Sequence, residues 1–193
     1  MGKVYLDGML GVGYNMFTQS RSIGFLNSVA SSSYGGMQYM GNAETGYDFA
    51  VSPRTTMTPL IGFQATRTDT SSYTESGAGP ANTSVGRQII DSYATTLGGR
   101  VTTAIPTTVG SLLPEAKLGW LHDLNGSPVS SNATLQGVSF ATSTPRTAQD
   151  GAEVSLGATL QRTDALSLRA EYDGDLRSDF QSHTGLLKGE WKF

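Results

Sequence analysis

The 193-residue sequence has no cysteine, so it can form no disulfide framework and offers no thiolate to a metal. Charge is sparse too: 13 basic and 16 acidic residues make up 15% of the chain and leave a net charge of -3. Nucleic-acid binders gather Lys and Arg into one patch, and no such cluster occurs here, so no nucleic-acid partner is expected. No run of 18 consecutive apolar residues exists, which excludes a transmembrane helix. No signal peptide precedes Met1-Gly2-Lys3, where a strand pattern begins at once, and this reads as a mature fragment. Catalytic and cofactor motifs are also missing. There is no G-x-S-x-G elbow, and the only two histidines, His122 and His183, lack metal-ligand spacing. The glycine-rich stretch Gly8-Met9-Leu10-Gly11-Val12-Gly13 lies inside a strand pattern with no helix behind it to receive a phosphate. The expectation is a protein without cofactor, metal or catalytic activity.

What the sequence does contain is alternation. Val4, Leu6, Leu10, Val12, Tyr14 and Met16 share one face, with Lys3, Asp7, Gly11, Gly13 and Asn15 on the other. Tyr39, Ala43, Thr45, Tyr47 and Phe49 stand opposite Gln38, Asn42, Glu44 and Asp48. The scheme repeats around Pro59–Ala65, Tyr93–Val101, Pro114–Trp120, Ala152–Leu160, Leu166–Tyr172 and Leu187–Phe193, which predicts about eight strands. In these segments every Asp, Glu, Lys and Arg falls on one face. A soluble sandwich alternates as well, but its strands average about 5–6 residues, whereas a strand crossing a bilayer needs roughly 9–11. An Arg or Lys facing lipid near the midplane costs roughly 2–4 kcal/mol, and segregated charge is what that penalty predicts. The fold expected is therefore all-β, a transmembrane up-and-down antiparallel β-barrel in the bacterial outer membrane, apolar outside and polar inside, in contact with outer-membrane lipid or detergent. Arg at Leu156 should then impair folding into lipid, and Arg at the inner neighbour Ser155 should be milder.

Connection lengths supply a second signal, since such barrels alternate long outer loops with short inner turns. The stretches 18–36, 68–90 and 123–150 are long and read as loops; 50–56 and 162–165 are short, 104–111 is medium and 175–180 is a modest hairpin. Pro53, Pro106 and Asp164 supply turn chemistry at the inner end. An even strand count lets the first and last strands pair antiparallel, so closure between Leu6–Val12 and Leu187–Phe193 is expected, because an open edge in hydrocarbon leaves backbone groups unpaired.

Two groups of residues are candidates for function. Arg100, Glu115, Lys117, Glu153, Arg169 and Glu171, joined by Glu44 and Asp48, all point to the polar face and can form a charge network. They read either as the lining of a passage for a polypeptide or as a structural set of ion pairs, since sequestered charges must be paired. Leu187, Gly189, Trp191 and Phe193 end the chain on the apolar face with aromatics suited to the lipid–water interface. This terminal strand resembles the assembly signal read by the outer-membrane barrel insertion machinery, although only Glu190 separates Gly189 from Trp191 where two residues are usual.

The chain as a whole resembles the translocator β-barrel domain of type V secretion autotransporters. The segments that carry the likeness are Tyr5-Leu6-Asp7-Gly8, Arg21-Ser22-Ile23, Glu44-Thr45-Gly46-Tyr47, Thr58-Pro59-Leu60, Tyr73-Thr74-Glu75-Ser76-Gly77 and Leu97-Gly98-Gly99-Arg100. Pro114, Leu118-Gly119-Trp120-Leu121-His122 and Tyr172-Asp173-Gly174 complete it. The resemblance implies a single domain over residues 1–193 that anchors, and supports export of, an N-terminal passenger. Members of that family usually have twelve strands with a helix threading the pore, so the resemblance also implies truncation on the N-terminal side. The expectation is a closed eight-stranded barrel that does not transport by itself. The alternative is a small structural or adhesive barrel acting through its loops.

Overall fold

A computed structural model describes residues 2–125, 128–163 and 165–192. Its main element is one antiparallel sheet of eight neighbouring strands in chain order, β1 (Lys3–Ile23), β2 (Ser28–Ser52), β3 (Thr55–Thr70), β6 (Gln88–Thr103), β8 (Gly110–Asp123), β11 (Asp150–Gln161), β12 (Leu166–Arg177) and β13 (Gln181–Trp191). The short β7 (Ile105–Thr107) hairpins onto β8. A second sheet, in the order β10-β9-β5-β4, is built from β4 (Tyr73–Thr74), β5 (Thr83–Val85), β9 (Val129–Leu135) and β10 (Val138–Thr144). Strands of the main sheet pair antiparallel in chain order; short turns join β1 to β2, β2 to β3, β11 to β12 and β12 to β13, whereas the β3–β6 and β8–β11 connections carry the strands of the second sheet.

The alternating pattern sets the faces. Cross-strand pairing aligns Leu6, Thr45, Ile61, Leu97, Trp120 and Ala152 in one row on the convex face. That face is apolar and open: Leu10 is 90% exposed and Leu187 85%. The interior inverts the usual order, since the buried apolar residues among those described are few and more than half are alanines, such as Ala30, Ala78 and Ala94. An apolar surface this extensive is not compatible with water and matches a face solvated by hydrocarbon.

Two expectations are corrected. First, β1 and β13 do not pair; the described sheet is an open half-barrel, not a closed eight-stranded one. The pairing partners of β1 and β13 are β2 and β12 alone among the described strands. Strand number alone does not close a barrel; tilt and stagger must match it, and in this sheet the two edges stay apart. Second, 18–36 is not a loop. β1 and β2 stay in register from Lys3↔Asp48 up to Ile23↔Ser28, turned by a three-residue 3-10 segment, Gly24–Leu26, and by Asn27 at φ +47°. A stretch rich in Ser and Gly looks like loop by composition, yet its two halves hydrogen-bond to each other as the ends of β1 and β2.

That hairpin overshoots the sheet, since β2 pairs with β3 only as far as Gly36↔Thr70. The 68–90 and 123–150 connections also contain strands, and these fold back to form the second sheet. It is fastened to the hairpin through the reciprocal backbone bonds of Ser31 and Ser76 at 2.8 Å, through packing of Ala78 on Ile23 and Ala30, and through a stack in which Tyr34 lies between Phe17 and Tyr73. Arg21 reaches across to Glu75, donating from Nε at 3.1 Å and from Nη2 at 2.5 Å. At the opposite end the turns are tight: Pro53-Arg54 joins β2 to β3, and Pro106 lies in β7. Asp164, expected to supply turn chemistry there, lies outside the described residues. The long-connection end and the short-turn end of the sheet are thus distinct.

Candidate lumen charge network

On the concave face the period-2 geometry stacks inward residues of neighbouring strands within reach of one another. Glu44 projects from β2, Arg100 from β6, Glu115 and Lys117 from β8, Glu153 from β11, and Arg169 and Glu171 from β12. Lys117 is the hub of one cluster. Its Nζ donates to Glu44 Oε2 at 2.7 Å and to Glu153 Oε1 at 2.8 Å, tying β8 to its neighbour β11 and to β2, three strands away in the sheet. Tyr5 completes it by donating to Glu44 Oε1 at 2.6 Å, and Thr96 donates to Glu153 Oε2 at 2.8 Å.

Arg169 is the hub of the second cluster. It donates from Nε to Glu171 Oε2 at 2.7 Å, from Nη2 to Glu115 Oε1 at 2.9 Å and from Nη1 to Thr159 at 3.3 Å. Gly157 makes room for it, since a Cβ there would stand 3.0 Å from Arg169 Nη2. Arg100 links the two clusters loosely. Its guanidinium is 3.8 Å from Glu44 and 3.9 Å from Glu115, longer than hydrogen bonds, and lies 4.9 Å above the Tyr5 ring in a cation–π contact.

Four carboxylates face three cations, so the network carries one net negative charge. The side chains of both hubs are less than a third exposed. Charge-assisted bonds of 2.7–2.9 Å are the strong kind, and each Glu finds at least one partner. A polar crevice of ≈ 290 Å³ opens beside Lys117, bounded by Asp7, Asn42, Gln64 and Glu153. Chemically the surface is a polar wall of closely spaced cations and anions.

Of the residues singled out from sequence, Arg100, Glu115, Lys117, Glu153, Arg169, Glu171 and Glu44 come together here. Asp48 does not; it accepts from Thr58 at 2.6 Å nearer the short-turn end. Tyr5, Thr96 and Ser155 are members that sequence reasoning passed over. Tyr5 had a legible signal, because it shares parity with Lys3 and Asp7 on the polar face. Leu187, Gly189 and Trp191 lie along the apolar face of β13, and Trp191 is largely exposed there. Phe193 lies outside the described residues. His122 and His183 are both at the long-connection end, the first 2.9 Å from Asp150 Oδ1 and the second 2.7 Å from the Tyr172 hydroxyl.

Comparison with protein families gives a match to the Autotransporter beta-domain over residues 1–173. Comparison with individually curated proteins returns no significant match.

Proposed function

The chain belongs to the autotransporter β-domain family, whose members are embedded in the outer membrane, and from that premise we propose that it anchors an N-terminal passenger and supports the passenger's export. The observation that carries this reading is the concave charge network, a polar surface assembled from five strands on a sheet whose other face is apolar. We assign its ion pairs both tasks named above: they hold the inner faces of β2, β6, β8, β11 and β12 together, and they present an exchangeable polar lining to an extended polypeptide.

The open edges of β1 and β13 favour a barrel completed by further strands, because unpaired backbone groups in hydrocarbon cost several kcal/mol each. A barrel wider than eight strands leaves an interior that side chains do not fill. The short-turn end faces the periplasm and the long-connection end faces outside, as the alternation of connection lengths suggests. The outer-membrane assembly machinery reads the terminal strand through Leu187, Gly189, Trp191 and Phe193. The domain acts by position and lining, without catalysing a reaction.

The test is passenger exposure in cells carrying the complete gene. Protease added outside should remove the passenger when this domain is present, and leave it protected inside when residues 3–193 are deleted. A passenger that reaches the surface without the domain refutes the proposal. One observation favours an adhesive role beside it: the second sheet bounds a shallow concavity of ≈ 910 Å³ between β4, β5, β9 and β10. Deleting β9 and β10 with export intact would separate the two roles.

A further inference from the structure

The convex face changes character at its long-connection end. Below, the outward rows are apolar; above, they carry charge that faces the same way. Leu10, Gly41, Ala65 and Tyr93 form one outward row across β1, β2, β3 and β6. The next row up contains Tyr39, Arg67 and Asp91. Between the two runs a groove of ≈ 210 Å³, floored by the small side of Gly41 and Ala65 and walled by Leu10, Tyr39 and Tyr93. Its upper lip is the Arg67–Asp91 pair.

That pair is unfinished. Arg67 is half exposed, and its Nη1 is 3.7 Å from Asp91 Oδ1, too far for a hydrogen bond. Asp91 Oδ1 is itself shielded from solvent and has no hydrogen-bond partner among the described residues. A buried carboxylate oxygen left so is costly. The open side of the same carboxylate, one-third exposed, can take a donor, while the half-exposed guanidinium beside it calls for an oxyanion. A second cation stands close by, since Arg87 pairs bidentately with Asp69 on the row above.

We propose that this groove is a binding site for a phosphorylated glycolipid of the outer leaflet. One acyl chain lies over Gly41 and Ala65. The lipid phosphate docks on Arg67, and a sugar hydroxyl donates to the solvent-facing side of the Asp91 carboxylate, whose side chain is one-third exposed. The apolar groove alone would accept any chain; the adjoining guanidinium and the partly exposed Asp91 carboxylate select a head group that is both anionic and hydroxylated. The placement in the outer leaflet rests on the orientation given under Proposed function, but the binding chemistry does not.

The experiment therefore uses the purified full-length protein in detergent, where orientation is irrelevant, and reads retained lipid by native mass spectrometry. The probes are diphosphoryl lipid A, its dephosphorylated form, phosphatidylethanolamine and inorganic phosphate. One lipid A should be retained in preference to the other lipids. Arg67→Gln should weaken retention about tenfold, the scale of one charge-assisted hydrogen bond. Ala65→Phe, which fills the groove without touching charge, should weaken it as well. Arg54→Gln, at the opposite end, should change nothing, and folding of each variant is checked by heat-modifiable gel mobility. Equal retention of the dephosphorylated lipid or of phosphatidylethanolamine overturns the proposal. So does displacement by millimolar inorganic phosphate alone, or an equal loss in Arg54→Gln.

Discussion

Leu156→Arg places a cation in the middle of the apolar face. Leu156 is the seventh of twelve residues in β11, on the same outward face as Leu118 and Tyr172, and half of its side chain is open to the surroundings. If those surroundings are hydrocarbon, the guanidinium costs roughly 2–4 kcal/mol near the midplane. That is roughly a 30- to 1000-fold shift in the folding equilibrium. A polar-face control is needed, and Ser155 is the wrong one. It is 6% exposed, pairs across from Lys117 and donates toward Glu171, so Arg there would be both overpacked and beside a like charge. Expecting a mild effect at Ser155 holds only for a roomy lumen, and the structure shows a filled one at that point. Thr184 is the better control: it is exposed on the concave face of β13 directly across from Asp173. Thr184→Arg should cost less than about 1 kcal/mol, as exposed charge pairs do. The assay is urea titration of folding into phospholipid vesicles, read by tryptophan fluorescence, with the full-length protein. Equal destabilisation at Leu156 and Thr184 would refute the assignment of faces.

Lys117→Met should disrupt the network more than Arg100→Met, because it removes two bonds of 2.7–2.8 Å where Arg100 makes only contacts of 3.8–3.9 Å. Urea midpoints that rank the other way would be inconsistent with the hub geometry. Gly46→Ala should destabilise by about 1–3 kcal/mol, since its Cβ would stand 2.6 Å from the Tyr5 ring and 2.7 Å from the Pro59 carbonyl. Tyr5→Ala should rescue only part of that loss, because the carbonyl remains, and a complete rescue in a double-mutant cycle would be evidence against it. The Arg21 guanidinium, followed by the Thr83 amide, holds the Glu75 carboxyl below its ordinary value of 4.5. A depressed pKa means that this latch contributes fully above pH about 4.5 and is lost as pH falls through the folded value. Protection factors for hydrogen exchange in 73–85 should thus be unchanged from pH 7 to 5 and fall below pH 4, and Glu75→Gln should flatten that fall. Because the chain has no cysteine, Ser143→Cys in full-length protein should react with an impermeant maleimide on intact cells while Arg54→Cys should not. The reverse result would invert the orientation. Deleting Phe193 should slow insertion in cells and spare refolding in detergent; normal surface assembly without it would remove the terminal signal.

Sequence alone determined the strands and their faces. Alternation is a property of consecutive residues, and a side chain's face follows from its parity, so Leu156 against Glu153 or Leu187 against Lys188 could be read without knowing any neighbour. The number of strands in the main sheet followed for the same reason, though not the short strands of the second sheet, as did the membership of Lys117, Glu153 and Arg169 in one polar surface. Three things were decided only by tertiary structure. Closure was one: whether β1 meets β13 depends on accumulated twist and stagger over eight strands, which no local pattern encodes. The fate of 18–36 was another, because a stretch of Ser, Gly and Thr becomes strand only when a partner such as β1 takes its hydrogen bonds. The third was which charges touch. Register sets that, and it brought Glu44 within 2.7 Å of Lys117 across 73 residues of sequence while leaving Asp48, four residues further along the same strand, to Thr58.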